Sequence, residues 1–150
     1  MNANSNTTQF STKSFRMPPV KLASGLTINT TTLIGSGSTN GSLVTDVLFR
    51  NLDGSNARNL DIVICPTGSQ ATAEYNCVQI AIPANSGNNG TVAQASLAAL
   101  APALFGLDLS GNRVIGLEGS GLSGTEWSIY VVNKAALTAD MYVRVCFKDF

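Results

Sequence analysis

The chain has 150 residues, of which 44% are hydrophobic and 12% are charged, and nine Lys plus Arg balance nine Asp plus Glu. A formal net charge of zero argues against nucleic acid as a partner, because proteins that bind it cluster Lys and Arg to displace phosphate counterions. No apolar run approaches the ~20 residues that span a bilayer, and the first residues lack a basic-then-apolar leader pattern. We therefore expect a soluble protein that does not bind membranes and is made in a cytoplasm.

Small polar residues dominate the composition, with 15 Ser, 14 Thr, 14 Asn and 14 Gly. These residues favour turns, and few i, i+4 charge pairs are present to stabilise exposed helices. A single domain of strands joined by loops is the resulting expectation. Surfaces of uncharged Ser, Thr and Asn repel other copies of the protein only weakly, which favours assembly over a monomeric state.

The first 19 residues differ from the rest of the chain. They are polar, contain no acid, show no periodicity, and end at two prolines that favour an extended backbone. Two interpretations stay open, a disordered tail or an arm that becomes ordered on a partner. In the second, the contact residues are the aromatic, apolar and cationic ones: Phe10, Lys13, Phe15, Arg16 and Met17. The predicted organisation is an extended arm over residues 1–19 and a β-sandwich domain over residues 20–150.

Residues 32–51 begin with a glycine-rich turn and continue as an apolar run, which is also how a phosphate-binding loop begins. Neither motif of that kind fits, because no lysine lies between Gly35 and Asn51 and the third glycine of a dinucleotide fingerprint is replaced by Asn40. Apolar residues alternate from Leu43 onward, the period of a strand. The segment therefore predicts a loop followed by a strand.

About eight strands are predicted along the chain from alternating apolar residues bounded by turn residues. They cover residues 22–31, 43–51, 60–65, 76–82, the two sides of a hairpin around residues 110–112, 126–132 and 141–147. The alanine-rich residues 91–100 predict one short helix that lies as a lid over an open end of the sandwich. Strands with one apolar face pair into two packed sheets, so the predicted fold class is an all-β, two-sheet antiparallel β-sandwich of the jelly-roll type.

Residue patterns for catalysis or metal binding are weak throughout the sequence. The chain has no histidine, the usual general base. A carboxylate pair could hydrolyse glycosides, but no two acids lie at i, i+2 or i, i+4. The acids considered were Asp46, Asp53, Asp61, Asp108, Glu118 and Glu126. We expect no enzyme, no metal and no cofactor.

Several other residues have a structural and a functional interpretation, and the structural one is preferred. Asp108 begins a stretch like a calcium loop, but position twelve is Gly119 and the stretch is interpreted as a turn. Trp127 shares the face of apolar strand neighbours and is interpreted as a core residue, not as a sugar platform. Three cysteines fall within apolar runs and are interpreted as small buried side chains, not as a disulfide or zinc site. They are Cys65, Cys77 and Cys146.

The segments "NGSLVTDVLFRN", "LDIVIC", "IAIPANSG" and "DLSGNRVIGLEGSG" and a closing hairpin follow one another along the chain. In this order they resemble the small β-sandwich decoration (auxiliary) proteins of tailed bacteriophage heads, from about residue 26 to the end. The resemblance implies a virion protein without catalytic residues, whose copies bind the major capsid protein on the capsid exterior, often as homotrimers. The alternatives are a head-fibre or tail-associated receptor- or glycan-binding module, a connector or tail component, and an enzyme.

Overall fold

The computed structural model describes residues 13–16 and 18–149, and the side chains of all these residues except 13–16, 122 and 123. Eleven strands lie within this part of the chain: β1 Lys13–Arg16, β2 Val20–Leu22, β3 Thr31–Ser36, β4 Ser42–Asn51, β5 Arg58–Pro66, β6 Asn76–Ile82, β7 Ala95–Ser96, β8 Gly106–Leu107, β9 Arg113–Leu117, β10 Trp127–Asn133 and β11 Met141–Asp149. Two one-turn helices accompany them, α1 Leu97–Leu100 and α2 Ser120–Ser123, with 3-10 turns at Ala73–Tyr75 and Pro102–Leu104. None of the described helices is long and apolar enough to span a membrane.

The strands form two antiparallel sheets. A seven-stranded sheet has the order β1-β11-β4-β9-β8, with β2 also paired to β11 and β7 to β4, and a four-stranded sheet has the order β3-β10-β5-β6. The chain passes back and forth between them, since β2, β4 and β11 lie in the first sheet while β3, β5 and β10 lie in the second. The predicted all-β, two-sheet sandwich is confirmed.

The core lies between the two sheets and follows from the period-2 alternation of the long strands. Phe49 lies opposite Val143 in the larger sheet, and Ile62 lies opposite Val131 in the smaller one. These four side chains are at most 1% exposed. Each contributes roughly 1.5–3 kcal/mol by leaving water, so the paired apolar faces account for the face-to-face packing.

A glycine makes room for one contact between the two sheets. Gly35 on β3 faces Phe147 on β11, and a Cβ at residue 35 would lie 2.7 Å from the Cζ atom of Phe147. The prediction that residues 32–42 form a loop is therefore wrong over its first half, since β3 occupies residues 31–36. The glycine that looked like part of a turn instead makes room for an aromatic ring from the other sheet.

The single strand predicted over residues 22–31 is also wrong. The backbone turns between β2 and β3, with Gly25 at a φ of 89° and Asn29 at a φ of 63°. Glycine and asparagine adopt this left-handed region most readily, so these two residues favour a turn within the predicted strand. The turn is fixed from the far end of the chain, because the Asn133 side-chain amide donates to the Thr27 carbonyl at 2.6 Å.

The helix predicted over residues 91–100 forms only in its last four residues, as α1. The Asn89 side chain accepts hydrogen bonds from the backbone N–H groups of residues 91 and 92 at 3.0 and 3.1 Å, which holds a turn in place of a helix. The N–H of Ala95 then donates to the Ser86 hydroxyl as β7 adds to β4. Leu97 is fully buried in the main core, so α1 packs through this one side chain.

The cysteines follow the prediction only in part. All three are free thiols. Cys65 is buried and Cys146 is half-buried. Cys77 is exposed, because it lies on the opposite face of β6 from Ile80 and Ile82, which point into the core. Burial raises the pKa of the Cys65 thiol above its ordinary value, which makes its reactive thiolate form scarce.

Candidate interaction surfaces

Part of the predicted arm lies on the sandwich. Lys13, Phe15 and Arg16 belong to β1, which pairs antiparallel with the end of β11, and Arg16 lies opposite Cys146. Phe10 and Met17, the other two predicted contact residues, lie outside the described residues. The backbone of residues 13–16 thus adds an edge strand to the larger sheet, while the role of these five residues in partner binding stays a prediction.

The β8-β9 hairpin lies at the other end of the same sheet. Its turn is held by Asp108, whose carboxylate accepts hydrogen bonds from the N–H groups of Ser110 at 2.9 Å and Asn112 at 2.8 Å. Gly111 completes the turn at a φ of 81°, where a side chain would be strained. The N–H of Asn112, and further hydrogen bonds and the charge of Lys148, hold the pKa of the Asp108 carboxyl below its ordinary value.

Two leucines flank Asp108 on this fixed hairpin and face water. Leu107 keeps 72% of its reference surface exposed, and Leu109 keeps all of it. The sequence predicts both residues on the first side of this hairpin, before its turn. The structure makes them the most exposed of the large hydrophobic side chains in the part of the chain it describes. We call residues 106–112 the leucine hairpin.

Most acids that were considered as catalytic candidates have structural hydrogen-bond partners. The Asp46 carboxylate accepts from the Ser96 hydroxyl at 2.6 Å and from the N–H of Ala98 at 3.1 Å, which ties β4 to the start of α1. Asp61 accepts from the Gln79 amide at 2.9 Å and lies 3.5 Å from the Lys134 ammonium. These contacts use the carboxylates to fasten neighbouring strands.

Asp53 is the most enclosed of these acids. It lies 2.5 Å from the Arg58 guanidinium and accepts a hydrogen bond from the Thr138 hydroxyl at 2.7 Å, while Arg58 also contacts Thr138. The backbone N–H of Ser55, together with Thr138 and Arg58, holds the pKa of the Asp53 carboxyl far below its ordinary value. The group therefore stays ionised and cannot act as a proton donor near neutral pH.

Glu118 and Glu126 lie on either side of the glycine-rich loop, with Glu118 exposed and Glu126 half-buried. Across the described ranges, no group of three or more His, Cys, Asp and Glu side chains is placed to hold a metal ion. Trp127 is half-buried, packs against the core, and meets Tyr75 edge to face at a ring-centroid distance of 5.8 Å. A sugar platform needs an open ring face, and this pair does not form a flat exposed one.

No protein-family model matches the chain, and no curated protein sequence matches it. One solved structure with a similar chain is the cyanophage Pam1 capsid asymmetric unit. That similarity covers 94% of this chain and 88% of the other, at 18% sequence identity and a TM-score of 0.40. A similarity of this size does not place the chain in a family.

Proposed function

We propose that this protein is a non-enzymatic virion structural subunit that binds the outer surface of a tailed-phage capsid as a decoration (auxiliary) protein. The observation that carries the proposal is the leucine hairpin, where Leu107 and Leu109 are exposed on a turn fixed by Asp108. Because the backbone of this turn is already ordered, docking costs little backbone entropy, and the leucines lose their contact with water as interface anchors do. The resemblance of the sequence to decoration proteins supports the capsid as the surface on which they dock.

A second contact region is proposed at the N-terminal arm, through Phe10, Lys13, Phe15, Arg16 and Met17. The strand β1 lies at one end of the sheet path and β8, with the leucine hairpin, lies at the other. Contacts at two separate edges let one copy bridge two neighbouring capsid proteins, and the second contact then forms at a high effective concentration. This arrangement suits a protein that reinforces a shell.

The finer features of the proposal are a jelly-roll fold and a homotrimer. The strand order supports the first, because β2-β11-β4-β9 and β3-β10-β5-β6 are two four-stranded groups that the chain fills by crossing between sheets. The second rests on the decoration-protein resemblance and on the low surface charge, which leaves little repulsion between copies. Sedimentation velocity of the purified chain measures the oligomeric state. A monomer at all concentrations would contradict the proposed trimer.

The function is tested by mixing undecorated phage capsids with purified protein and counting bound copies after sedimentation. The full chain should bind to saturation, and the double variant Leu107→Ser, Leu109→Ser should bind weakly. Leu33→Ser is the matched control, since Leu33 is 44% exposed but lies on β3 of the other sheet. No binding by the full chain would remove the decoration proposal, and an equal loss in the control would remove the leucine hairpin as its contact surface.

The arm is tested in the same assay with the double variant Phe10→Ala, Phe15→Ala and with a chain that lacks residues 1–19. Interface anchors of this size contribute about 2 kcal/mol or more, so occupancy should fall clearly at subsaturating protein. Thermal melting of the shortened chain must still show a cooperative transition, because the comparison requires a folded sandwich. Unchanged occupancy in both variants would assign the contact to the sandwich alone.

A further inference from the structure

A cationic cleft lies on the outer face of the larger sheet. It has a volume of about 230 Å³ and is lined by Pro19, Arg50, Gln94, Tyr142 and Arg144. Tyr142 on β11 lies directly opposite Arg50 on β4. Arg144 is two residues further along β11, so it points to the same side of the sheet as Tyr142. Neighbours of this kind have Cβ atoms within about 8 Å of each other, and both arginines line the same space.

A proline break in the neighbouring edge strand gives the cleft one of its walls. β1 pairs with β11 as far as Arg16, opposite Cys146, and β2 resumes the pairing at Val20, opposite Val143. Arg144 is therefore level with the break. Proline has no N–H to donate to a ladder, so Pro18 and Pro19 separate the two short strands, and Pro19 lines the cleft.

The two arginines of the cleft have no carboxylate partner within the described residues. Arg50 makes only a long hydrogen bond to the Asn88 side-chain oxygen, at 3.4 Å. The ion pairs of the described chain join other cations to acids: Lys21 to Asp140, Arg58 to Asp53 and Lys134 to Asp61.

The acid that lies closest to Arg144 in the strand register already has hydrogen-bond partners. Asp46 lies on the same outer face, opposite Cys146, but its oxygens accept from Ser96 and Ala98. Two positive charges thus share one cleft in a chain whose formal net charge is zero.

We propose that this cleft binds a carboxylate side chain, Asp or Glu, of the protein on which the subunit docks. Two guanidinium groups present forked donors that match a carboxylate, and the Tyr142 hydroxyl and the Gln94 amide add further donors. A polyanion such as nucleic acid fits less well, because its binding requires many cations spread along a surface. The choice of a protein partner rests on the proposed function, whereas the preference for a carboxylate rests on the cleft itself.

The experiment is an NMR titration of the isotopically labelled full chain with a hexaglutamate peptide. Saturable shifts should appear at the backbone amides of the cleft residues, and a hexaglutamine peptide should cause none. Arg144→Gln should raise the dissociation constant about tenfold, since it removes a charge-assisted hydrogen-bond donor. Arg113→Gln is the matched control, because this arginine is exposed on β9, does not line the cleft and carries the same charge.

Three results would overturn the proposal. One is the absence of saturable shifts at the cleft, and another is an equal loss of affinity in Arg144→Gln and Arg113→Gln, which would indicate charge attraction without a site. The third is tighter binding of inorganic phosphate than of hexaglutamate. The peptide assay contains no capsid, so the two proposals can fail separately. Peptide binding without capsid binding would contradict the proposed function but support the carboxylate site. Capsid binding without peptide binding would support the proposed function but contradict the carboxylate site.

Discussion

Two aspartate-held turns of this protein use the same local chemistry. In the loop between β4 and β5, Asp53 accepts hydrogen bonds from the N–H groups of Ser55 and Asn56, both at 2.9 Å. In the leucine hairpin, Asp108 accepts from the N–H groups of Ser110 and Asn112 at 2.9 and 2.8 Å. In each turn the carboxylate accepts hydrogen bonds from backbone N–H groups that have no carbonyl partner there, which is why aspartate is common in turns.

The surroundings of the two turns differ. Asp53 is buried against Arg58 and Thr138, and Arg58 also donates to the carbonyl of Ala136 at 3.3 Å, so the first turn is joined to the segment that precedes β11. Asp108 is only half-buried, and the side chains that flank it are apolar ones in water. The same motif therefore stabilises the fold where tertiary partners enclose it and displays a contact surface where they do not.

Arg58→Ala is expected to have the largest effect, because it leaves a buried carboxylate without its cation. Removing one partner of a buried ion pair costs about 3 kcal/mol of unfolding free energy. Urea denaturation measures it, with Arg113→Ala as a control that should change stability by about 0.5 kcal/mol or less, since Arg113 is exposed. A loss below about 1 kcal/mol in Arg58→Ala would show that the Asp53 turn does not depend on its tertiary partners.

The double variant Leu107→Ser, Leu109→Ser should give the opposite result. Its side chains are already in water, so the melting temperature should stay within error of the parent chain, while binding to capsids weakens by about 2 kcal/mol or more. Melting and occupancy are measured on one preparation. A clear fall in melting temperature would mean that these leucines support the fold, and the contrast between the two turns would disappear.

The sequence predicted the long strands well, because each has one apolar face that alternates residue by residue. β4, β5, β6, β10 and β11 lie close to their predicted positions. One of the errors comes from a glycine that serves packing and not a turn. Gly35 serves a contact with Phe147 from a distant part of the chain, and no local pattern indicates which glycine faces an aromatic ring across the sandwich.

The contact surfaces were harder to predict than the strands. Leu107 and Leu109 alternate like the buried face of a strand, but β9 pairs with β4 only at residues 115–117, so the hairpin extends past the sheet and its leucines meet water. Arg50 and Arg144 each read as the polar side of a separate strand. Only the register of β4 against β11 brings them to one cleft. The exposure of the two leucines and the meeting of the two arginines both depend on strand pairing between distant segments, which a local sequence pattern does not indicate.

Asp53 and Asp108 should also differ in how much each contributes to the pH dependence of stability, and this is the smallest of the expected effects. The folded protein lowers the pKa of both Asp53 and Asp108, so the unfolded chain binds more protons as the pH falls through the ordinary carboxyl pKa of about 3.9. The stability that each carboxylate contributes is present above that pH and is lost progressively below it, toward the lower pKa of the folded state.

Asp53→Asn should therefore reduce stability at pH 7 and flatten the decline between about pH 5 and pH 2. Asp108→Asn should change both much less, because its carboxylate is only half-buried and solvent screens it. Urea denaturation at pH 7, 4 and 3 gives the slopes for each variant, and Asp140, whose pKa is also lowered, accounts for part of the decline that remains. If Asp53→Asn kept the parental slope while Asp108→Asn lost it, the exposed turn would be the one that stabilises the fold.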